Sequence, residues 1–417
     1  MAAPPFTLCV QWPRLGPYHR ARLEAMHAVL APHGVRVVAL EAAGRDATYG
    51  WTDGAPPPYD HVQVFPEATF ETLPPRRMYA AVQATLDTIR PDAVATHSYS
   101  FADAQACLAW CRSHRRTAIV MTDSKADDGP RAAWRELLKG LIVRQYDAAL
   151  VAGLPQTAYL TSFQFPADKI WPGYDVVDNA FYHAHAAAAR VDRAPHLTAA
   201  GLPADLGPFF ISVNRLIPLK NLDRLLRAYH AYHHAAEAPW PLVLVGDGPE
   251  RARLERQIEA EHIPDVYLTG SQPAERVAAL YGCAGALVLA TLKDTWGLVV
   301  NEAMAAGLPV LVSTRAGCAL DLVDEGRTGY AFDPLDTTTL TQLLARVSAP
   351  STDRVAMGRH AQALIDRFTP EVFARNLWAA AQAGQATRHR GLNPLVGLLL
   401  WLLRRPADPQ AFHATDV

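Results

Sequence analysis

The stretch Phe209-Phe210-Ile211-Ser212-Val213-Asn214-Arg215-Leu216-Ile217-Pro218-Leu219-Lys220-Asn221 begins as a short apolar run and turns polar at Asn214. A β-strand feeding a loop toward a helix reads this way. Working outward, further short apolar runs follow at 242–245, 266–268, 287–290 and 309–313, with helical patterns between them. Upstream the same alternation holds. Runs at 6–10, 35–40, 93–97, 118–121 and 148–152 are separated by helices, the first over 20–30 and closed by Gly34. Strands that are continuously apolar, alternating with helices, predict parallel sheets covered on both faces. The alternation stops around 186–207, where Ala, Pro and Gly dominate.

The expectation is therefore α/β, with two Rossmann-like doubly wound domains and a cleft between them. The boundaries read as an N-terminal domain over 1–190, a linker over 191–207, a second domain over 208–369 and a tail over 370–417.

Of the 417 residues, 50% are hydrophobic and 19% charged, which suits a chain that buries large cores. The formal net charge of -2 gives no footprint of a nucleic-acid binder. Any anionic substrate must be met by local positive charge. Cys9, Cys107, Cys111, Cys283 and Cys318 form neither an even framework nor a CxxC pair, and read as buried, reduced thiols. Cys107 and Cys111 share a helix face but lack further ligands, so no metal is assigned to them. Met1-Ala2-Ala3-Pro4-Pro5 lacks the basic and long apolar regions of a signal peptide, and a cytoplasmic location is expected.

In open α/β sheets, ligands bind beyond the carboxyl ends of the strands. Arg215 and Lys220 occupy such a position, where a planar fork, a point charge and a helix N-terminus can together grip a diphosphate. Alone they read as two surface cations on a solvated loop. Gly246-Asp247-Gly248-Pro249-Glu250 follows the run at 242–245; its glycines allow close backbone approach, as in a nucleotide pocket or an ordinary βα turn. The richest segment is Asp294-Thr295-Trp296-Gly297-Leu298-Val299-Val300-Asn301-Glu302, followed by Gly307-Leu308-Pro309. Its two carboxylates suit sugar and ribose hydroxyls beside a phosphate site. Asp294 alone reads as well as a helix N-cap. Glu302 sits in an otherwise apolar helix, and a buried acid requires partners.

Taken together, the Arg-x4-Lys loop, the GDGPE turn, the carboxylate pair and the trailing GLPV resemble the retaining nucleotide-sugar glycosyltransferases of the GT-B fold, glycosyltransferase family 4 (group 1), over residues 209 to about 347. The resemblance implies that Arg215 and Lys220 bind the donor diphosphate and Glu302 the ribose. It places Asp294, where relatives usually carry Glu, at the hydroxyls of the transferred sugar, with the backbone of Trp296, Gly297 and Leu298 lining that sugar and the helix N-terminus near Val299 on the donor's leaving charge. Gly246, Asp247 and Gly248 complete the donor side. In the N-terminal half, Trp12-Pro13-Arg14-Leu15-Gly16-Pro17-Tyr18-His19 resembles the family's glycine-bearing first loop, so Gly16 and His19 would face the donor. His97, in Thr96-His97-Ser98-Tyr99, stands where relatives carry an acceptor-side histidine, although a lone strand-end His also serves structure. The segment from Asp123-Ser124-Lys125 to Arg131 is a further acceptor-side candidate by position.

The implied activity is transfer of a sugar from a nucleotide-diphosphate sugar to a saccharide or lipid-linked hydroxyl acceptor, with retention and without a cofactor; no Asp-x-Asp motif is present to hold a metal. An epimerase or sugar-phosphate-forming enzyme on the same fold would keep the donor site without an alcohol acceptor. A methyltransferase or dehydrogenase built on GDGPE lacks support from a GxGxxG motif. The helix from Pro370 is expected to cross back onto the N-terminal domain. The apolar run 395–403, between Arg388, Arg390 and Arg404, Arg405, is too short to span a bilayer; it reads as packing against the protein or as peripheral contact with the inner membrane face.

Overall fold

The computed structural model describes residues 5–46, 56–129, 132–387 and 391–402. The chain divides into two compact units, residues 1–176 with 370–417 and residues 177–369. The first holds a seven-stranded parallel sheet of β1 (Phe6–Trp12), β2 (Val35–Arg45), β3 (Asp60–Thr69), β4 (Ala93–Thr96), β5 (Thr117–Thr122), β6 (Ala148–Val151) and β7 (Ile170–Trp171), in the order β3-β2-β1-β4-β5-β6-β7. The second holds β8 (Phe210–Val213), β9 (Leu242–Val245), β10 (Val266–Gly270), β11 (Ala286–Leu289), β12 (Val310–Ser313) and β13 (Gly329–Phe332), in the order β10-β9-β8-β11-β12-β13. Both orders reverse beside the first strand of their sheet, the doubly wound arrangement expected from the sequence.

Each strand expected from the sequence is present. The central ones, such as Leu242–Val245 and Ala286–Leu289, are buried at every residue because helices cover both faces. Burying one Leu or Val side chain in this way contributes about 1.5–3 kcal/mol. The unanticipated strands are β3, β7 and β13, all at sheet edges. β3 reads DHVQVFPEAT and has no fully buried residue, so no continuous apolar run marks it.

Residues 191–207 are not a linker. A helix runs from Asn179 to Val191 and another from Arg193 to Ala199, and both belong to the second unit, which begins at Val177. Of the small residues that suggested a linker, Ala186, Ala189 and Ala200 are buried. Ala186 lies against Gly282 of helix Ala274–Cys283, where an added Cβ would come 2.3 Å from the Ala186 carbonyl oxygen. The boundary thus falls before the Ala-rich helix, not after residue 190.

Helix Pro370–Gln385 clusters with the first unit. Phe373, Ala374 and Leu377 are fully buried, the Trp378 ring meets Phe6 edge-on at 5.1 Å, and Asn376 Nδ2 donates to the Pro172 carbonyl at 2.8 Å. The following helix, Pro394–Leu402, inserts Val396 and Leu400 into the first unit's core while Leu395 and Leu398 stay exposed. Among the described residues no helix is long and apolar enough to cross a membrane. Arg388, Arg390, Arg404, Arg405 and Arg131 lie outside the described residues. All five cysteines are buried free thiols, and burial raises the pKa of Cys107 and Cys283.

Candidate functional site

The order of the second sheet puts its switch point between β8 and β11. The loops leaving those two strands carry Arg215, Lys220 and Asp294. They are laced together by Asn221, which adopts a left-handed backbone (φ +58°) tolerable to Asn and sends its buried amide to the carbonyls of Ala290 (3.0 Å) and Pro334 (2.9 Å). Leu292 N–H and Thr291 Oγ1 both donate to the Leu219 carbonyl, at 2.8 and 3.0 Å. The consequence is a buried ion pair. Lys220 Nζ lies 2.7 Å from Asp294 Oδ2, with the two residues 7% and 6% exposed. The resemblance assigns these side chains to different parts of a donor, whereas the structure joins them to each other.

Asp294 is not a helix N-cap. That place belongs to Gly297, whose φ of +103° strains any other residue and which offers no side chain to the amides of helix Leu298–Ala305. Asp294 is instead tied at its backbone to the next strand's loop, its carbonyl accepting from Gly317 N–H at 3.1 Å. Trp296 is buried, its Nε1 donating to Asn301 Oδ1 at 2.9 Å and its carbonyl accepting from Cys318 N–H at 3.0 Å. Leu298 and Val299, in the helix's first turn, are half-buried.

Glu302 is 2% exposed and accepts from the Tyr281 hydroxyl at 2.8 Å, so the partner that its burial demands is found on helix Ala274–Cys283. Arg215 is half-buried, and its Nη1 is enclosed with no hydrogen-bond partner among the described residues. An enclosed guanidinium nitrogen without an acceptor costs free energy unless an anion meets it.

The glycines after β9 bring backbone close to backbone, as the βα-turn reading allows. A Cβ at Gly246 would sit 1.8 Å from the Asn214 carbonyl oxygen, and Leu216 N–H donates to the Asp247 carbonyl at 2.9 Å. Gly246 to Gly248 therefore press against the backbone of the Arg215 loop and fix its path. Their close approach is to protein, while the Asp247 side chain turns back to Gly248 N–H at 2.7 Å.

In the first unit the switch point lies between β1 and β4. The loop after β1 reaches Gly16, the N-cap of helix Pro17–Leu30, and His19 Nδ1 accepts from Gly16 N–H at 2.9 Å. Burial first, then the fields of Arg22 and His97, hold the His19 pKa well below its ordinary value. His19 is thus neutral at neutral pH, with its proton on Nε2. After β4, His97 Nε2 lies 3.2 Å from Asp103 Oδ2, and its ring stacks on Phe101 at 5.3 Å. Lys125 is buried against Asp127 (2.6 Å) and Asp128 (3.5 Å), which makes it an internal tie of its own loop.

One residue central to this unit escapes the sequence reading. Glu41 of β2, fully buried, accepts from Arg14 Nη1 (2.7 Å) and Leu15 N–H (2.8 Å) with one oxygen, and from His61 Nε2 (2.7 Å) and Gln63 Nε2 (2.8 Å) with the other. It fixes the loop that ends at Gly16. A lone acid inside the apolar run Val37-Val38-Ala39-Leu40-Glu41-Ala42-Ala43 is the signal that marks it, the same kind that marks Glu302.

Burial alone would raise the Glu41 pKa, but the hydrogen bonds from His61, Leu15 N–H, Gln63 and Arg14 outweigh it and bring the pKa from an ordinary 4.5 to about 2. A depressed carboxyl pKa stabilises the fold above the unfolded value and loses that contribution as pH falls toward the folded value. The destabilisation caused by Glu41→Gln should therefore contain a part of about 3 kcal/mol that is present at pH 6 and vanishes between about pH 4.5 and 2. Urea unfolding of both forms across that range measures it; a pH-independent difference would contradict it.

Two doubly wound parallel sheets in these two units, with a C-terminal helix clustering with the first, define the GT-B class. Residues 200–364 match the family described as Glycosyl transferases group 1, so the chain carries a domain of that family. N-acetyl-alpha-D-glucosaminyl L-malate synthase of Bacillus anthracis is 33% identical over 129 residues, covering 31% of this chain and 32% of that protein. GDP-mannose-dependent alpha-mannosyltransferase of Mycobacterium tuberculosis is 37% identical over 117 residues, 28% of each chain. These matches span about a third of the relatives' length or less. Sucrose-phosphate synthase from Thermosynechococcus elongatus shares the fold, with a TM-score of 0.68 and 18% identity over 90% of this chain and 98% of that one.

Proposed function

We propose that the chain is a retaining glycosyltransferase that moves a sugar from a nucleotide-diphosphate donor onto a hydroxyl of a saccharide or lipid-linked glycan. The observation that carries this reading is the buried Lys220–Asp294 pair, with Arg215 on the same loop as Lys220 and its Nη1 without a hydrogen-bond partner among the described residues, at the switch point of the sheet in a group 1 domain. Expelling a nucleoside diphosphate requires stabilisation of the departing charge. Arg215 and Lys220 supply it, together with the amides that open helix Leu298–Ala305. With two cations in that role the reaction needs no metal and no cofactor. Asp294, once Lys220 turns to phosphate, is a hydroxyl acceptor for the sugar. Glu302, oriented by Tyr281, accepts from the ribose.

In the transfer, the bond between the anomeric carbon and the diphosphate oxygen breaks. The acceptor oxygen bonds on the same face, and its proton passes to the departing phosphate. No side-chain nucleophile is required. The test is binding of UDP-, GDP- and ADP-sugars in the presence of EDTA, followed by mass analysis and anomeric NMR of the product with candidate acceptors. Absence of binding to all three donors, or a product without a new glycosidic bond, sinks the reading.

The cytoplasm is the place where such donors are met, and the exposed Leu395 and Leu398 suit contact with the inner membrane face. Leu395→Ser with Leu398→Ser should then release the protein from anionic vesicles in sedimentation. Unchanged sedimentation would exclude that contact.

A further inference from the structure

We propose that Asp103, steadied by Gln11, is a positioning residue that holds the His97 imidazole as its Nε2–H tautomer and so presents Nδ1 as an acceptor to a substrate hydroxyl. The substrate half of this statement rests on the glycosyltransferase reading; the tautomer half rests on geometry alone.

Three contacts fix the ring. The His97 main-chain N–H donates to the Gln11 carbonyl at 3.2 Å, which roots the residue on β1. The ring lies nearly parallel to Phe101, with 12° between the planes. Its Nε2 faces Asp103 Oδ2 at 3.2 Å.

The carboxylate is the dominant partner in this contact. Asp103 is fully buried in the first turn of helix Ala102–His114, where the helix amides favour negative charge. Its recorded ion-pair partner among the described residues is His97, and no Lys or Arg is paired with it there. Gln11, also fully buried, donates its Nε2 to the same Oδ2 at 2.7 Å, while Oδ1 has no partner among the described residues. A carboxylate so thinly supplied with donors depends on each one it has. If the proton sat on Nδ1, the Nε2 lone pair would face that oxygen, and an attraction would become a repulsion. The proton is therefore held on Nε2.

Nδ1 is then the acceptor edge of the ring. It has no hydrogen-bond partner among the described residues, and the side chain is 8% exposed. His19 carries its own proton on Nε2, because its Nδ1 accepts from Gly16 N–H. An imidazole with a bare nitrogen recognises O–H donors, and sugar hydroxyls are the donors the proposed substrates offer.

The test uses the full-length protein with 15N-labelled histidine. In the wild type, His97 should show a neutral Nε2–H with a proton protected from solvent exchange, assigned by its loss in His97→Gln; this measurement needs no Asp103 variant to fold. Asp103→Asn should abolish the protection and lower kcat about 10- to 100-fold, with the donor KM changed less than twofold. Adding Asp103→Asn to His97→Gln should cause no further loss, because both act through one imidazole.

Absence of the protected proton, its persistence in Asp103→Asn, or losses that multiply in the double variant would each overturn the proposal. If no donor supports transfer at all, the glycosyltransferase reading fails instead, and the exchange measurement still decides the tautomer. Full activity of His97→Gln would remove the substrate contact and with it the proposal's purpose.

Discussion

Lys220→Ala should cut sugar transfer at least about 100-fold and also destabilise the second unit by about 3–5 kcal/mol. The two effects have different causes. In the proposed function, transfer falls because a cation that stabilises the departing diphosphate is gone. Stability falls because Asp294, 6% exposed, is left charged and buried without the partner now 2.7 Å away. A double variant separates them. Lys220→Met with Asp294→Leu removes both charges and fills the space with apolar atoms, which is neutral or stabilising at many buried pairs. It should recover most of the urea stability and none of the transfer. Initial rates and unfolding midpoints on the three proteins check this, and wild-type turnover in the double variant would end the assignment of Lys220 to the donor.

Glu302→Gln should weaken nucleotide-sugar binding about 10- to 100-fold with little change in stability, since hydrogen bonds to a charged group contribute about 1.5–3 kcal/mol. Gln keeps the volume and keeps an oxygen for the Tyr281 hydroxyl, which donates to Glu302 at 2.8 Å. What it loses is the charge. Glu302→Ala should lose the same binding and also unfold more readily, because the Tyr281 hydroxyl is then buried without its acceptor. Calorimetric titration of the donor with thermal unfolding distinguishes the two variants. Equal affinity in Glu302→Gln and the wild type would remove this carboxylate from the site.

The pairing of Lys220 with Asp294 sharpens the view of the donor side. In the proposed function a donor meets two side chains already committed to each other, and its binding exchanges that ion pair for contacts of both with ligand.

The sequence by itself determined the central strands, the doubly wound class and the chemistry-bearing loops after β8, β9 and β11, because fully covered strands need unbroken apolar runs and polar residues are admitted only where those runs end. It also marked Glu302, and by the same signal could have marked Glu41, since an acid inside an apolar run must have partners. The tertiary structure alone decided the rest. The edge strands β3, β7 and β13 pair on one side only and carry no distinctive run. The Ala-rich segment that suggested a linker holds the helices Asn179–Val191 and Arg193–Ala199, most of whose alanines are exposed, and a composition of small residues does not by itself tell such helices from loose chain. That Gly246 approaches Asn214, that Asn221 clips Ala290, that Lys220 reaches Asp294 and that Gln11 meets Asp103 are contacts between segments far apart in the chain. Local patterning places each residue at a strand end; only the order and register of the strands decide which ends are neighbours.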